Sequence, residues 1–236
     1  MRLVYSPNVH KIIGQYVTAS NVLFTLDAVS CARGGRLLFQ NLFLEMGEGD
    51  VVHLAGPNGA GKTSLLRGMA GALPCDGKIL WQDKDFLENG AAAHAARYAF
   101  LPANDTYLKL LETAYENISF WARLWGVGGD IADAALRAMG LQEIRDRPVR
   151  YFSAGQKRRL GLARVLMKGA RLWLFDEPLN GLDAESMALF RVALEHHVAK
   201  GGMAVIASHL PIDPPNTGTL RRITLGALPP DTAGAA

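Results

Sequence analysis

The chain is expected to fold as an α/β protein: a parallel sheet covered by helices, an antiparallel β subdomain near the start and a helical subdomain in the middle. Three observations predict this. A glycine-rich turn, "GPNGAGKTS" (Gly56–Ser64), follows the apolar run "VVHLA" and opens a helix. Two helix-then-strand units come later: the helix after "FSAGQ" leads into "RLWLFDEP", and "ESMALFRVALEHHVAK" leads into "MAVIAS". Helices of this length alternating with apolar strands favour parallel pairing. Between these units, residues 111–146 carry helical periodicity and no strand pattern.

Residues 1–21 fit no periodic pattern and are expected to form a loose, disordered N-terminal extension outside the main domain, which spans 22–228. From Val22 the runs "NVLFTLDAV", "RLLFQNLFLEM" and "DVVHLAG" alternate apolar and polar residues and are parted by "ARGGR" and "GEGD", which reads as strands joined by turns. Leu65, Leu66, Met69 and Leu73 then share one helical face. "GKILWQDKDF" reads as a strand pair. "LLETAYENISFWARLWGV" and "DIADAALRAMGL" read as helices broken at Gly126–Gly129, giving a helical subdomain over about 105–150. The tail, 229–236, is expected to be disordered.

Composition narrows the function. Net charge is +3, from 25 basic and 22 acidic residues, and the charges are well mixed, so no nucleic-acid partner is expected. The "KRR" of Lys157–Arg159 is read as the polar face of a helix. Cys31 and Cys75 form no C-x-x-C pair and are read as reduced thiols. No apolar run reaches the roughly 18–20 residues of a membrane span, and the start lacks a secretory h-region. A membrane role is therefore expected to come through a partner.

Gly56–Ser64 fits G-x-x-x-x-G-K-[ST] in the strand-to-helix context that the motif requires. Gly56, Pro57, Asn58, Gly59, Ala60 and Gly61 form a loop whose glycines allow backbone N–H groups to turn around an anion. The helix start adds partial positive charge. Lys62 is placed to reach the outer phosphates of a nucleotide, and the hydroxyls of Thr63 and Ser64 lie at the helix entrance, with Thr63 suited to Mg²⁺. In "RLWLFDEP" an apolar strand ends in Asp176 and Glu177. Buried carboxylates are costly unless paired or metal-bound. Asp176 is therefore assigned to Mg²⁺, and Glu177 to orienting an attacking water.

With "FSAGQ" lying between these two motifs, the chain resembles the ATP-binding subunits of ABC transporters over about residues 22–228. The resemblance implies the fold of a P-loop NTPase core of ABC ATPase type, with ATP and Mg²⁺ as ligands. It implies that Ser153, Ala154, Gly155 and Gln156 serve the γ-phosphate held by a second copy of the chain, two copies closing head to tail around two ATPs. The plainer reading of Ser153 is a helix cap. By the same resemblance Asn180, Gly181, Leu182 and Asp183 form the loop that faces the partner copy, and His209 contacts the γ-phosphate.

Arg33 falls where the family stacks an aromatic residue on adenine, and a planar guanidinium can stack as well. Arg33, the S-A-G-Q form of the signature, "GPNGAGKTSLLRGMAG" and "ENISFWARL" resemble the haem-exporter ATPases of cytochrome c maturation. That resemblance implies integral membrane ABC subunits as partners and a peripheral location on the cytoplasmic face of the inner membrane. One departure stands out: no glutamine occurs near "YAFLPANDTY", where the family places one beside Mg²⁺, and Asn104 or Asp105 holds the approximate place. The alternatives are an ABC ATPase for another cargo, a soluble ABC-type ATPase, or an ATP-binding regulator without turnover.

Overall fold

The computed structural model describes residues 22–85 and 90–226. The proposed extension 1–21 and tail 229–236 lie outside them. The first strands, β1 (Val22–Arg33) and β2 (Arg36–Gly47), form a long hairpin closed at Arg33↔Arg36. Its two-residue turn, Gly34-Gly35, is left-handed at both positions, with φ of 59° and 76°, as a tight hairpin demands. With β4 (Asp76–Trp81) and β5 (Lys84–Asp85) the hairpin makes an antiparallel sheet in the order β2-β1-β4-β5. This is the β subdomain expected from the sequence.

The second sheet joins β3 (Asp50–Ala55), β6 (Tyr98–Leu101), β7 (Leu172–Asp176), β8 (Met203–Ala207) and β9 (Thr219–Thr224) in the order β6-β7-β8-β3-β9. Every pairing in it is parallel. Strands β3, β7 and β8 are buried at every residue, which is why they read as unbroken apolar runs rather than alternating ones.

The pleat divides β7 between two cores. Leu172 and Leu174 pack with the antiparallel sheet and α1 (Lys62–Met69), whereas Trp173 and Phe175 face the helical side. The helical side is built from α3 (Ala114–Trp125), α4 (Gly129–Ala138), α5 (Ala154–Lys168) and α6 (Ala184–Ala199); a short α2 (Ala91–Arg97) precedes β6. Thr113 and Glu116 cap α3 reciprocally, and Gly126 ends it with φ of 67°. The glycine break seen in the sequence is thus a helix stop followed by a new helix. The ends of β7, β8 and β3 lie in register, Asp176↔Ala207 and Leu54↔Ala207. Leu101 of β6 pairs one residue short of Asp176. Four strand ends therefore converge on one edge of the sheet, where open α/β sheets bind ligands.

Candidate functional site

Residue Gly56 leaves β3 with φ of 142°, and a Cβ there would lie 2.4 Å from the Leu225 carbonyl oxygen. Only glycine fits this exit from the strand. Gly61, the residue before α1, is left-handed at φ 97°, and a Cβ would crowd Leu38 and Phe39 at 3.1 Å. The loop between them curls tightly, with the Ala60 N–H donating to the Pro57 carbonyl at 3.2 Å. The Lys62 side chain is buried and turns back into this curl. Its Nζ donates to the carbonyls of Gly56 at 2.6 Å and Pro57 at 3.2 Å. An ammonium is thereby held over the loop, beside the N–H groups that the first turn of a helix leaves without intrahelical partners.

Asp176, at the end of β7, accepts from the Thr63 hydroxyl through both carboxylate oxygens, at 3.1 and 2.9 Å. Burial raises the Asp176 carboxyl above the usual range; the Thr63 bond works against this, and the neighbouring Glu177 charge adds to it. The carboxylate has no ion-pair partner among the described residues. A hydroxyl and a carboxylate with no direct ion pair, both oxygen donors, suit a hard divalent cation such as Mg²⁺.

Glu177 is one of five non-glycine residues with positive φ among the described residues, at 49°. Its N–H donates to the Ala207 carbonyl at 2.8 Å. Its Oε2 accepts from His209 Nδ1 at 2.9 Å and from the His209 N–H at 3.4 Å. The histidine lies just beyond β8, so adjacent strand ends bring the two side chains together.

These groups surround a cleft of about 320 Å³ lined by Arg33, Leu38, Asn58–Ser64, Ala103, Asp176 and Glu177. Arg33, at the end of β1, reaches it from the antiparallel sheet. The residues of "SAGQ" do not line it. Ser153 caps α5, its Oγ accepting from the Gln156 N–H at 3.1 Å while the Gln156 side chain accepts from the Ser153 N–H at 2.9 Å. A Cβ on Gly155 would stand 3.3 Å from the Gly181 carbonyl, so this helix start packs beside the 180–183 loop. Asp183 caps α6, accepting from the Ser186 N–H at 2.8 Å.

Two readings change. The cleft is lined by Ala103, not by Asn104 or Asp105; Asn104 is exposed and its side-chain oxygen accepts from the Thr106 hydroxyl at 2.9 Å. Arg158 is not on a polar face: it is 4% exposed and directed into the protein. The sequence offers no sign of this, because three consecutive basic residues look alike until the helix is docked.

A family model described as ABC transporter matches residues 39–180. The chain belongs to the ABC transporter family. As an ABC ATP-binding chain it is an ATPase. It is 40% identical to "Cytochrome c biogenesis ATP-binding export protein CcmA" of Paramagnetospirillum magneticum over 85% of this chain and 94% of that protein. It is 38% identical to the protein of the same name from Sphingopyxis alaskensis, over 88% and 98% of the two chains. Among solved structures, an ATP-binding subunit of an ABC transporter superposes with a TM-score of 0.72 at 21% identity over 80% of each chain. The cbiO1 protein of Clostridium perfringens, part of the ABC transporter complex cbiONQ, gives 0.70 at 23% identity, covering 86% of this chain and 87% of that one. At such identities these two likenesses speak to the fold of the ABC chain. Among the described residues no helix is long and apolar enough to cross a membrane.

Proposed function

We propose that this chain is the ATP-hydrolysing subunit of the ABC complex that exports or releases haem during cytochrome c maturation, seated on the cytoplasmic face of the inner membrane against integral membrane partners. The observation that carries the ATPase part is the convergence of Lys62, Thr63, Asp176, Glu177 and His209 on one sheet edge. The cargo rests on relatives of about 40% identity named for cytochrome c biogenesis.

In this reading the triphosphate lies along Gly56–Ser64, with the base against Arg33. Lys62 exchanges its two loop carbonyls for phosphate oxygens. Thr63 and Asp176 would hold Mg²⁺, which neutralises phosphate charge when bound. Glu177 orients the attacking water toward the γ-phosphate, and His209 holds the Glu177 carboxylate in place. Ser153 and Gly155 of a second copy complete the site. The exposed position of Ser153 and its absence from its own cleft support that assignment, since the γ-phosphate it serves must then belong to another chain.

The test is a pull-down. A tagged Glu177→Gln chain is trapped with ATP in membranes of its own cell, and the co-purifying proteins are identified. Membrane subunits of a cytochrome c maturation complex, with haem absorbance, are expected. An unrelated permease would discard the haem cargo, and ribosomes or DNA would discard transport.

A further inference from the structure

The Arg158 guanidinium makes four hydrogen bonds, all to backbone carbonyls. Nη1 donates to Pro102 at 2.6 Å, Nη2 to Asp176 at 2.6 Å and to Glu177 at 2.7 Å, and Nε to Pro178 at 3.2 Å. Among the described residues no carboxylate pairs with it. A buried charge without a counter-ion costs stability unless its hydrogen bonds are filled. Here four of the five N–H donors are met by the ends of two adjacent strands, and the charges of Asp105 and Asp176 act on the guanidinium from nearby. Pro102 follows β6; Asp176 closes β7, with Glu177 and Pro178 next.

The three consecutive carbonyls matter because of what lies among them. Glu177 is held at φ 49° without being glycine, a strained conformation that persists only where the surroundings impose it. Arg158 grips the carbonyl of that residue and those on either side of it. It also stands little more than one turn into α5, the helix that starts at the signature cap Ser153. The Pro102 carbonyl joins the loop after β6 to the catalytic strand end through Arg158.

We infer that Arg158 is a positioning residue: it sets the Glu177 backbone from the signature helix, and so links the half-site that α5 offers to a second copy with the water-orienting carboxylate of its own chain. The linkage between sites rests on the head-to-tail dimer proposed above. When the partner's γ-phosphate engages Ser153, α5 shifts, and the fork carries the shift to 176–178 and to 102.

The conservative variant Arg158→Lys keeps the charge and the helix but replaces a planar fork by one ammonium, which cannot span four carbonyls from two strands. In the full-length chain, the nucleotide-binding stoichiometry and the MgATP Kd are expected to stay within about twofold. The kcat per bound nucleotide should fall about 10- to 100-fold with KM little changed, since small misplacements of a catalytic group cost about that much. A kcat per site within twofold of the unaltered chain would overturn the inference. So would a loss seen only as fewer binding sites, the mark of a purely structural role.

Should Arg158→Lys not fold, amide hydrogen exchange on the ATP-trapped Glu177→Gln chain decides. That chain leaves every carbonyl bond of Arg158 in place. Joint slowing at 153–158, 102–107 and 176–180 is expected. A dimer with slowing at 153–158 alone would overturn the linkage. A chain that binds ATP but stays monomeric would instead remove the dimer on which the linkage rests, and slowing at 176–180 would then have to accompany nucleotide alone for the positioning role to stand.

Discussion

Nδ1 of His209 stands 2.9 Å from Oε2 of Glu177, and the same carboxylate oxygen lies 3.4 Å from the histidine backbone N–H. The carboxylate lines the nucleotide cleft, yet it is tethered from the end of the neighbouring strand. Its direction over the cleft depends on a residue 32 positions later in the chain.

The first expectation concerns that tether. His209→Ala should lower kcat by about 10- to 100-fold with nucleotide affinity little changed, because an untethered carboxylate no longer orients water. His209→Asn, whose amide N–H can take the place of Nδ1, should keep more turnover than the alanine variant. Steady-state hydrolysis checks both, and equal activities would argue against the tether.

Ser153 offers a way to separate capping from phosphate recognition. Aspartate caps helices about as well as serine, so Ser153→Asp should melt close to the unaltered chain. Its charge would repel a γ-phosphate presented by a second copy, and hydrolysis should drop at least about 100-fold. Unchanged turnover in this variant would leave Ser153 a cap and nothing more.

Asp176 should set stability against function. Its carboxyl is raised chiefly by burial, so the folded protein holds the proton more tightly than the unfolded chain does. This contribution is fully present below the ordinary aspartate range and is lost as pH rises through the folded value. Without metal, burial therefore works against the ionised form of this carboxyl. Asp176→Asn should raise its Tm at pH 7–8 and abolish both Mg²⁺-dependent turnover and the extra thermal stabilisation by Mg-ATP. A lower Tm with activity retained would contradict the assignment.

His197 works in the opposite sense. It stacks on Trp173 with ring centroids 3.8 Å apart and planes 4° from parallel, its Nε2 bonds the Met203 carbonyl at 3.0 Å, and burial pushes it down to about 4. The unfolded chain binds a proton near pH 6.5 that the folded ring refuses. Stability should fall from pH 6.5 toward 4, by roughly 3 kcal/mol from this residue. His197→Phe should keep the stacking and flatten that part of the pH–stability curve, as denaturant melts at several pH values would reveal.

Much of this architecture is written locally. The Gly56–Ser64 loop, the apolar run into Asp176–Glu177 and the glycine break after Trp125 each depend on neighbours in sequence, so each can be read there. His209 is legible only through its place after an apolar strand. Arg158 and Ala103 are not legible in the same way. Burial of Arg158 depends on how α5 docks against two strand ends more than 50 and nearly 20 residues distant, and no local pattern distinguishes it from Lys157 or Arg159. Ala103 enters the cleft because of the way the chain leaves β6, which the string "LPAND" does not specify. Nothing in the neighbours of His197 in sequence announces its stacking on Trp173, which the fold brings beneath it.

The most direct measurement is made on the Glu177→Gln chain, by ATP turnover and solution mass with and without Mg-ATP. The account predicts hydrolysis reduced by about 10²- to 10⁴-fold, undiminished ATP binding and a nucleotide-dependent doubling of mass. Near-normal turnover would contradict the role given to Glu177, and a chain that binds ATP yet stays monomeric would contradict the paired site.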